Sequence, residues 1–202
     1  MLVAIDGPAG AGKSTVARAV ARALGFTYLD TGAMYRTVAL ASTRGLDEAG
    51  ALDIGFDGDA VMLNGEDVSG LIRTAEISER ASVVANDPEV RRAMVAQQRL
   101  IIAGGDYVAE GRDVATVVAP DAEVKVYLTA SPQERARRRA QDLGVDDVEA
   151  VARDLAARDE RDQSHGRTIH EPAPGAVPLD TTGLSVDEVV GEIVERVKTV
   201  RA

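Results

Sequence analysis

The sequence contains no cysteine and no tryptophan, and aromatic residues occupy only 3% of its 202 positions. Without cysteine the chain can form neither a disulfide nor a thiolate metal site, and thiols give no indication of its redox compartment. Proteins that bind single-stranded nucleic acid by base stacking use more aromatic side chains than this. The formal net charge of −10 also disfavours a nucleic-acid backbone as a partner. We therefore expect no nucleic-acid polymer among its ligands.

Long apolar runs are also missing. No uninterrupted apolar stretch approaches the roughly 18 residues of a membrane span, and the first residues lack the basic segment that opens a secretory signal. The hydrophobic content of 45% and the charged content of 28% are ordinary for a folded domain. We expect a cytoplasmic protein that makes no contact with a membrane.

Lysine is rare: Lys13, Lys125 and Lys198 are the only lysines among 23 basic residues, and the others are arginines. The planar guanidinium group of arginine binds phosphate oxygens in pairs. Clusters of arginine in this acidic chain are therefore candidates for phosphate binding.

The most informative stretch is residues 7–14, which match the pattern G-x-x-x-x-G-K-[ST] at every fixed position. A buried-strand pattern precedes it and apolar residues at helical spacing follow, which is the context that the motif requires. Its glycines let backbone N–H groups surround phosphate oxygens, and a helix N-terminus adds partial positive charge. Lys13 can reach the β- and γ-phosphates, and the Ser14 hydroxyl can bind Mg²⁺. The predicted ATP-binding residues are Gly7, Pro8, Ala9, Gly10, Ala11, Gly12, Lys13, Ser14 and Thr15.

Strand and helix patterns alternate along most of the chain, which predicts an α/β fold with a parallel sheet covered on both faces. With the phosphate loop this is a P-loop, three-layer α/β/α architecture. Ligands of such sheets bind beyond the C-terminal ends of the strands. We therefore expect the phosphate loop, residues 30–31, residues 110–113 and the turn at 129–132 to surround one crevice.

The pattern changes after residue 45. Asp57-Gly58 and Asn64-Gly65 are strong hairpin signals and separate three short strand patterns. We interpret residues 45–100 as a subdomain inserted into a core formed by residues 1–44 and 101–202.

Four further stretches narrow the function: 29–36 (LDTGAMYR), 65–74 (GEDVSGLIRT), 110–113 (EGRD) and 158–162 (RDERD). With the phosphate loop they resemble bacterial cytidylate kinases, collinearly over nearly the whole chain. The resemblance implies that residues 45–100 bind a nucleoside monophosphate and that about 131–165 form a helical lid bearing arginines. It further implies transfer of a phosphoryl group from ATP to CMP or dCMP with Mg²⁺, by a monomer.

The resemblance also implies roles for individual residues. Thr31, Tyr35, Arg36 and Arg112 correspond to the acceptor-phosphate site. Ser82, Arg91 and Asp113 correspond to the residues that read cytosine, and Arg158 and Asp162 to those that hold sugar and phosphate. Around the transferring group we expect Lys13, Arg112, Arg135, Arg138 and Arg158 to neutralise charge.

One position departs from the family pattern. The lid motif D-x-x-R would place an arginine three residues after Asp162, where this chain has His165; the next arginine is Arg167. Either His165 substitutes for the usual arginine or Arg167 takes its place.

Other interpretations stay open at this stage. The chain could be another P-loop kinase with UMP or AMP as acceptor, or a GTPase or nucleotide-binding module without catalysis. The guanine-reading sequence Asn-Lys-x-Asp does not occur, which disfavours a GTPase. Residues 135–139 could be a solvated helix face, and Arg158 with Asp162 a structural i,i+4 ion pair.

Overall fold

The structure is a computed structural model that describes residues 1–164 and 171–201. Contacts divide the chain into two compact units. Met1–Leu29 together with Ile102–Ala202 form the first, here called the core unit, and Asp30–Ile101 form the second, here called the insert unit.

In the described residues, strands and helices alternate as the sequence predicts. The strands are β1 (Leu2–Asp6), β2 (Thr27–Asp30), β3 (Ile54–Asp57), β4 (Ala60–Leu63), β5 (Glu66–Asp67), β6 (Tyr107–Gly111), β7 (Val124–Thr129) and β8 (Val177–Asp180). The α-helices are α1 (Lys13–Leu24), α2 (Thr31–Thr43), α3 (Ala75–Val84), α4 (Pro88–Ile102), α5 (Pro132–Leu143), α6 (Val148–Ser164) and α7 (Val186–Arg201). Among these helices none is both long enough and apolar enough to cross a membrane.

The main sheet has the strand order β2-β6-β1-β7-β8. Strand β1 runs parallel to β6 on one side and to β7 on the other, and β8 runs parallel to β7. Val3 and Ile5 of β1 are fully buried in a core cluster that includes Val16 of α1 and Ile193 of α7. The apolar strand before the phosphate loop is therefore central to the sheet, and the predicted α/β class with a parallel sheet is confirmed.

The insert unit contains a three-stranded antiparallel sheet, β3-β4-β5. Asn64 and Gly65 have φ angles of 50° and 83°, as a tight hairpin turn requires. Helix α2 packs against α3 within this unit. The compact unit begins at Asp30, before α2, and residues 45–100, the predicted inserted subdomain, lie within it.

Helices α5 and α6 pack on each other over the phosphate loop. Ala136 of α5 and Leu155 of α6 lie in one apolar cluster with Ala9 of the loop. The Ser131 hydroxyl caps α5 by accepting a hydrogen bond from the Glu134 N–H, at 3.2 Å. Helix α5 thus begins where its predicted capping residues indicate. His165 and Arg167 lie outside the described residues.

Candidate active site

The phosphate loop requires glycine at two positions. Gly7 has φ 152°, and a Cβ there would overlap the carbonyl oxygen of Leu128 on β7. Gly10 has φ 75°, and a Cβ there would lie 2.9 Å from the carbonyl oxygen of Arg135. Residues that carry a side chain rarely adopt these φ angles. Only glycine therefore allows the loop to approach β7 and α5 this closely.

Three cationic side chains donate hydrogen bonds to consecutive carbonyl groups of the loop. Arg112 Nη1 donates to Gly7 O, Lys13 Nζ to Pro8 O, and Arg135 Nη1 to Ala9 O, each at 2.9 Å. The donors come from the turn after β6, from the start of α1 and from α5. Positive charge from three separate elements therefore converges on the loop where the motif places phosphate.

The pKa of Lys13 is lowered by its surroundings. Burial first, and then the positive charges of Arg112 and Arg158, lower this pKa to about 8, although Glu110 and Asp6 act in the opposite direction. The ammonium group is thus protonated at pH 7 and loses its proton only slightly above that pH. The influence of Arg158 on this pKa also places its charge near Lys13.

Two buried carboxylates of α6, those of Asp159 and Asp162, contact Arg112 and Arg135. Asp159 Oδ1 accepts a hydrogen bond from the Ala9 N–H at 3.2 Å, and its Oδ2 lies 2.5 Å from Arg135 Nη1. Arg112 lies between the two acids, with Nη1 3.7 Å from Asp159 and Nη2 3.3 Å from Asp162. Sequence reasoning singled out Asp162 and missed Asp159, although their i,i+3 spacing places both on one helix face.

Glu110 was also given no role from the sequence. It is buried at the C-terminal end of β6, where its Oε1 accepts hydrogen bonds from the Ser14 hydroxyl at 2.6 Å and the Tyr28 hydroxyl at 3.2 Å. An acidic residue at the end of a strand beside β1 is the signal that could have found it. Hydroxyl and carboxylate oxygens are ligands that Mg²⁺ prefers.

In the part of the chain that the structure describes, no group of three or more histidine or acidic side chains could hold a metal ion by itself.

Asp6, the last residue of β1, anchors the turn that carries Arg112 and Asp113. Its carboxylate accepts hydrogen bonds from Val114 N at 3.0 Å and Ala115 N at 2.8 Å. Burial, with a smaller effect of the negative charge of Asp113, raises the pKa of Asp6 to about 6, although the two backbone hydrogen bonds act in the opposite direction. The buried Asp113 is thus held directly before a short π-helix, Val114–Val118.

Arg138 is oriented differently from Arg135. Its Nε donates to Glu134 at 2.8 Å, and its Nη1 and Nη2 donate to the hydroxyl and the carbonyl of Thr181 at 2.9 and 2.8 Å. Its Nη1 also lies 3.6 Å from the point that a Cβ of Gly12 would occupy. Arg138 therefore lies beside the loop, but the N–H groups of its guanidinium donate hydrogen bonds to Glu134 and Thr181.

The remaining predicted acceptor residues lie in the insert unit. Arg36 Nη2 donates to Asp30 at 2.8 Å, and Asp30 also caps α2 by accepting from the Ala33 N–H at 2.8 Å. Within the described residues, the buried Arg36 Nε has no hydrogen-bond partner and keeps one donor available. Thr31 and Ser82 are buried, and Tyr35 and Arg91 are half-buried.

Solved structures share this fold over nearly the whole chain. A gluconokinase from Sinorhizobium meliloti aligns with a TM-score of 0.54 and 15% identity, over 98% of this chain and 91% of that one. An uncharacterized protein from Eubacterium ventriosum aligns with a TM-score of 0.56 and 12% identity, over 98% of this chain and 99% of that one. At these identities the likeness shows the fold alone, and the phosphate-loop motif of residues 7–14 assigns the chain to the class of P-loop proteins.

Sequence relatives define the family. A family model described as cytidylate kinase matches residues 3–199. A cytidylate kinase from Carboxydothermus hydrogenoformans is 47% identical, with 96% of both chains covered. Another, from Caldanaerobacter subterraneus, is 45% identical, with 97% of this chain and 94% of that one covered. The chain belongs to the cytidylate kinase family, as its motifs indicated, and is therefore a nucleoside monophosphate kinase, a phosphotransferase.

Proposed function

We propose that the protein transfers the γ-phosphoryl group of ATP to CMP and dCMP, and that the residues described above carry out this reaction. The observation that carries the proposal is the convergence of Lys13, Arg112 and Arg135 on the phosphate loop. Phosphoryl transfer requires in-line positioning and neutralisation of charge more than covalent chemistry. A monophosphate oxygen is already a nucleophile, so the reaction needs no general base.

ATP would bind with its phosphates inside the loop of residues 7–15. The carbonyl contacts of Lys13, Arg112 and Arg135 join a charged donor to a neutral acceptor, and a phosphate oxygen is a stronger acceptor for the same donors. These three side chains are therefore poised to exchange carbonyl oxygens for phosphate oxygens when ATP binds.

The residues present fit a magnesium ion. Ser14 and Glu110 would hold it, because their side-chain oxygens adjoin each other beside the loop. When bound, the ion neutralises charge on the phosphates. Tyr28 keeps the Glu110 carboxylate in place through its own hydrogen bond.

The acceptor nucleotide would bind predicted site residues outside the phosphate loop. Thr31, Tyr35, Arg36 and Arg112 would hold its phosphate. Ser82, Arg91 and Asp113 would read the base, and Arg158 and Asp162 would bind sugar and phosphate. The Asp113 carboxylate can accept a hydrogen bond from the 4-amino group of cytosine, whereas uracil presents a carbonyl oxygen there. A hydrogen-bond acceptor at this position favours the binding of CMP over that of UMP.

Closure of the lid would bring Arg138 and Arg158 to the transferring group and exclude water that would otherwise hydrolyse ATP. Arg138 can contact the transferring phosphoryl group only if it gives up hydrogen bonds to Glu134 and Thr181.

The experiment that tests this assignment combines steady-state kinetics with the substitution Asp113→Ala. The wild-type protein should phosphorylate CMP with ATP and Mg²⁺. Asp113→Ala should raise KM for CMP about 100-fold and KM for ATP less than about threefold, because its partner is the base. Asp121→Ala is the matched control, since Asp121 is exposed in the same connection between β6 and β7.

Equal effects of Asp113→Ala on both KM values would contradict the base-reading role. Nucleotide binding by the wild-type protein without turnover would contradict the proposed reaction itself.

A further inference from the structure

Asp159 is a buried acid, 4% exposed, that no motif assigned to the reaction. It lies on α6 and is 150 positions from Ala9 in the sequence, yet its carboxylate accepts a hydrogen bond from the Ala9 N–H. A lid helix thus contacts the backbone of the phosphate loop directly.

Arg135 completes a closed set of contacts around Ala9. The same nitrogen, Nη1, donates to Ala9 O at 2.9 Å and to Asp159 Oδ2 at 2.5 Å. Asp159 and Arg135 together therefore hold both the N–H and the C=O of Ala9, and we call this arrangement the Ala9 clasp. It involves one residue from each lid helix and one from the loop.

Asp159 also contacts the second arginine at this site. Its Oδ1 lies 3.7 Å from Nη1 of Arg112, which donates to Gly7 O. Arg112 and Arg135 carry like charges and are largely withdrawn from water, with side chains 13% exposed. Two such cations can be held at this site because the negative charge of Asp159, with that of Asp162 beside Arg112, offsets their repulsion and their loss of hydration.

We propose that Asp159 is a positioning residue for phosphoryl transfer: through the Ala9 clasp and Arg112 it holds two arginines at the phosphate loop. The inference rests on the proposed function and extends it, because it assigns the placing of these cations to a residue that need not touch either nucleotide. A carboxylate that only joined α5 to α6 would affect stability and leave the turnover of the folded enzyme unchanged.

The first test is Asp159→Asn, which keeps the size of the side chain and removes its charge. We expect kcat for CMP to fall about 10- to 100-fold, because a displacement of catalytic groups by about 1 Å has effects of this size. Glu160→Gln is the matched control, since it removes one charge from the next, exposed residue of α6 and should leave kcat within about twofold of the wild type. Thermal unfolding of each variant separates lost folding from lost turnover.

A double-mutant cycle shows whether Asp159 acts through Arg135. If it does, Asp159→Asn with Arg135→Gln will be about as slow as the slower single variant, because the second change removes a contact already lost. If the two losses multiply, the clasp does not act as a unit and the proposal is overturned. A wild-type kcat in folded Asp159→Asn overturns it as well.

A crystal structure of Asp159→Asn gives a readout that does not depend on activity. We expect Arg135 to leave Ala9 O; an unchanged contact would contradict the proposal. If Asp159→Asn does not fold, Asp159→Glu is used instead. It keeps the charge, moves the carboxylate by one methylene, and should still lower kcat at least about fivefold, whereas wild-type turnover counts against the clasp. If the wild-type protein does not phosphorylate CMP, the proposed function fails, and the crystal structure still decides on the clasp.

Discussion

At the scale of single residues, the candidate site brings together three cations, two of which, Arg112 and Arg135, are also paired with buried acids. Lys13, Arg112 and Arg135 bind neutral carbonyl oxygens of the loop that would receive ATP. The carbonyl contacts hold the side chains in place. Replacing a carbonyl oxygen by a phosphate oxygen costs little free energy, because the charged phosphate is the better hydrogen-bond acceptor. The arrangement is pre-organised for an anion, which is the condition for electrostatic catalysis.

The pKa of Lys13 provides a test at this scale. The value of about 8 predicts that kcat/KM for ATP falls as pH rises through 8, because the free enzyme must carry a protonated lysine. Lys13→Arg should abolish this decline, whatever its residual activity, since a guanidinium group stays charged throughout the range. A pH profile of kcat/KM between pH 6 and 10 measures both, with roughly tenfold loss per unit at the basic end for the wild type.

Lys125→Arg is the control, because Lys125 Nζ donates to the Pro174 carbonyl at an exposed position. It should retain the wild-type decline. A wild-type profile that stays flat up to pH 10 would show that Lys13 keeps an ordinary pKa.

At the scale of elements, the phosphate loop depends on its neighbouring strand as well as on its ligand. Phosphate binding explains why a loop needs glycine in general. The structure adds a second reason at Gly7, where the backbone of β7 approaches so closely that a Cβ would overlap Leu128 O. Gly7 is thus required for the sheet to close against the loop.

This leads to a prediction about stability in the absence of nucleotide. Gly7→Ala should lower the free energy of unfolding by more than about 3 kcal/mol, because strained backbone and steric overlap add. Gly25→Ala should cost only about 1–2 kcal/mol, since Gly25 has φ 68° but no neighbour within 4 Å of its would-be Cβ. Urea denaturation measures both, and equal losses would mean that the Leu128 contact is easily relieved.

Local sequence signals predicted the elements that depend on local chemistry. The phosphate-loop motif, the hairpin at Asn64-Gly65 and the cap at Ser131 all follow from residues close together in the chain. The start of the insert unit at Asp30 was not predictable in this way, because it depends on packing of α2 against α3.

At the scale of the whole molecule, the contacts that were missed are those between distant parts of the chain. Ser14 and Glu110 are 96 positions apart, and Ala9 and Asp159 are 150 apart. Charged residues such as Asp159 and Glu160 look alike in the sequence, and only the packing of α6 buries one and exposes the other. Family resemblance indicated the activity, whereas the roles proposed for Glu110 and Asp159 depend on contacts that only the fold shows.

The central claim is that this chain is a kinase selective for cytidine monophosphates. The most direct measurement is kcat/KM for CMP, dCMP, UMP and AMP with ATP and Mg²⁺, in one coupled assay. We predict that the values for CMP and dCMP exceed those for UMP and AMP by at least about 100-fold, because uracil presents a carbonyl oxygen where cytosine presents the amino group that the Asp113 carboxylate would accept from. A higher kcat/KM for UMP or AMP, or binding of all four without turnover, would contradict the account.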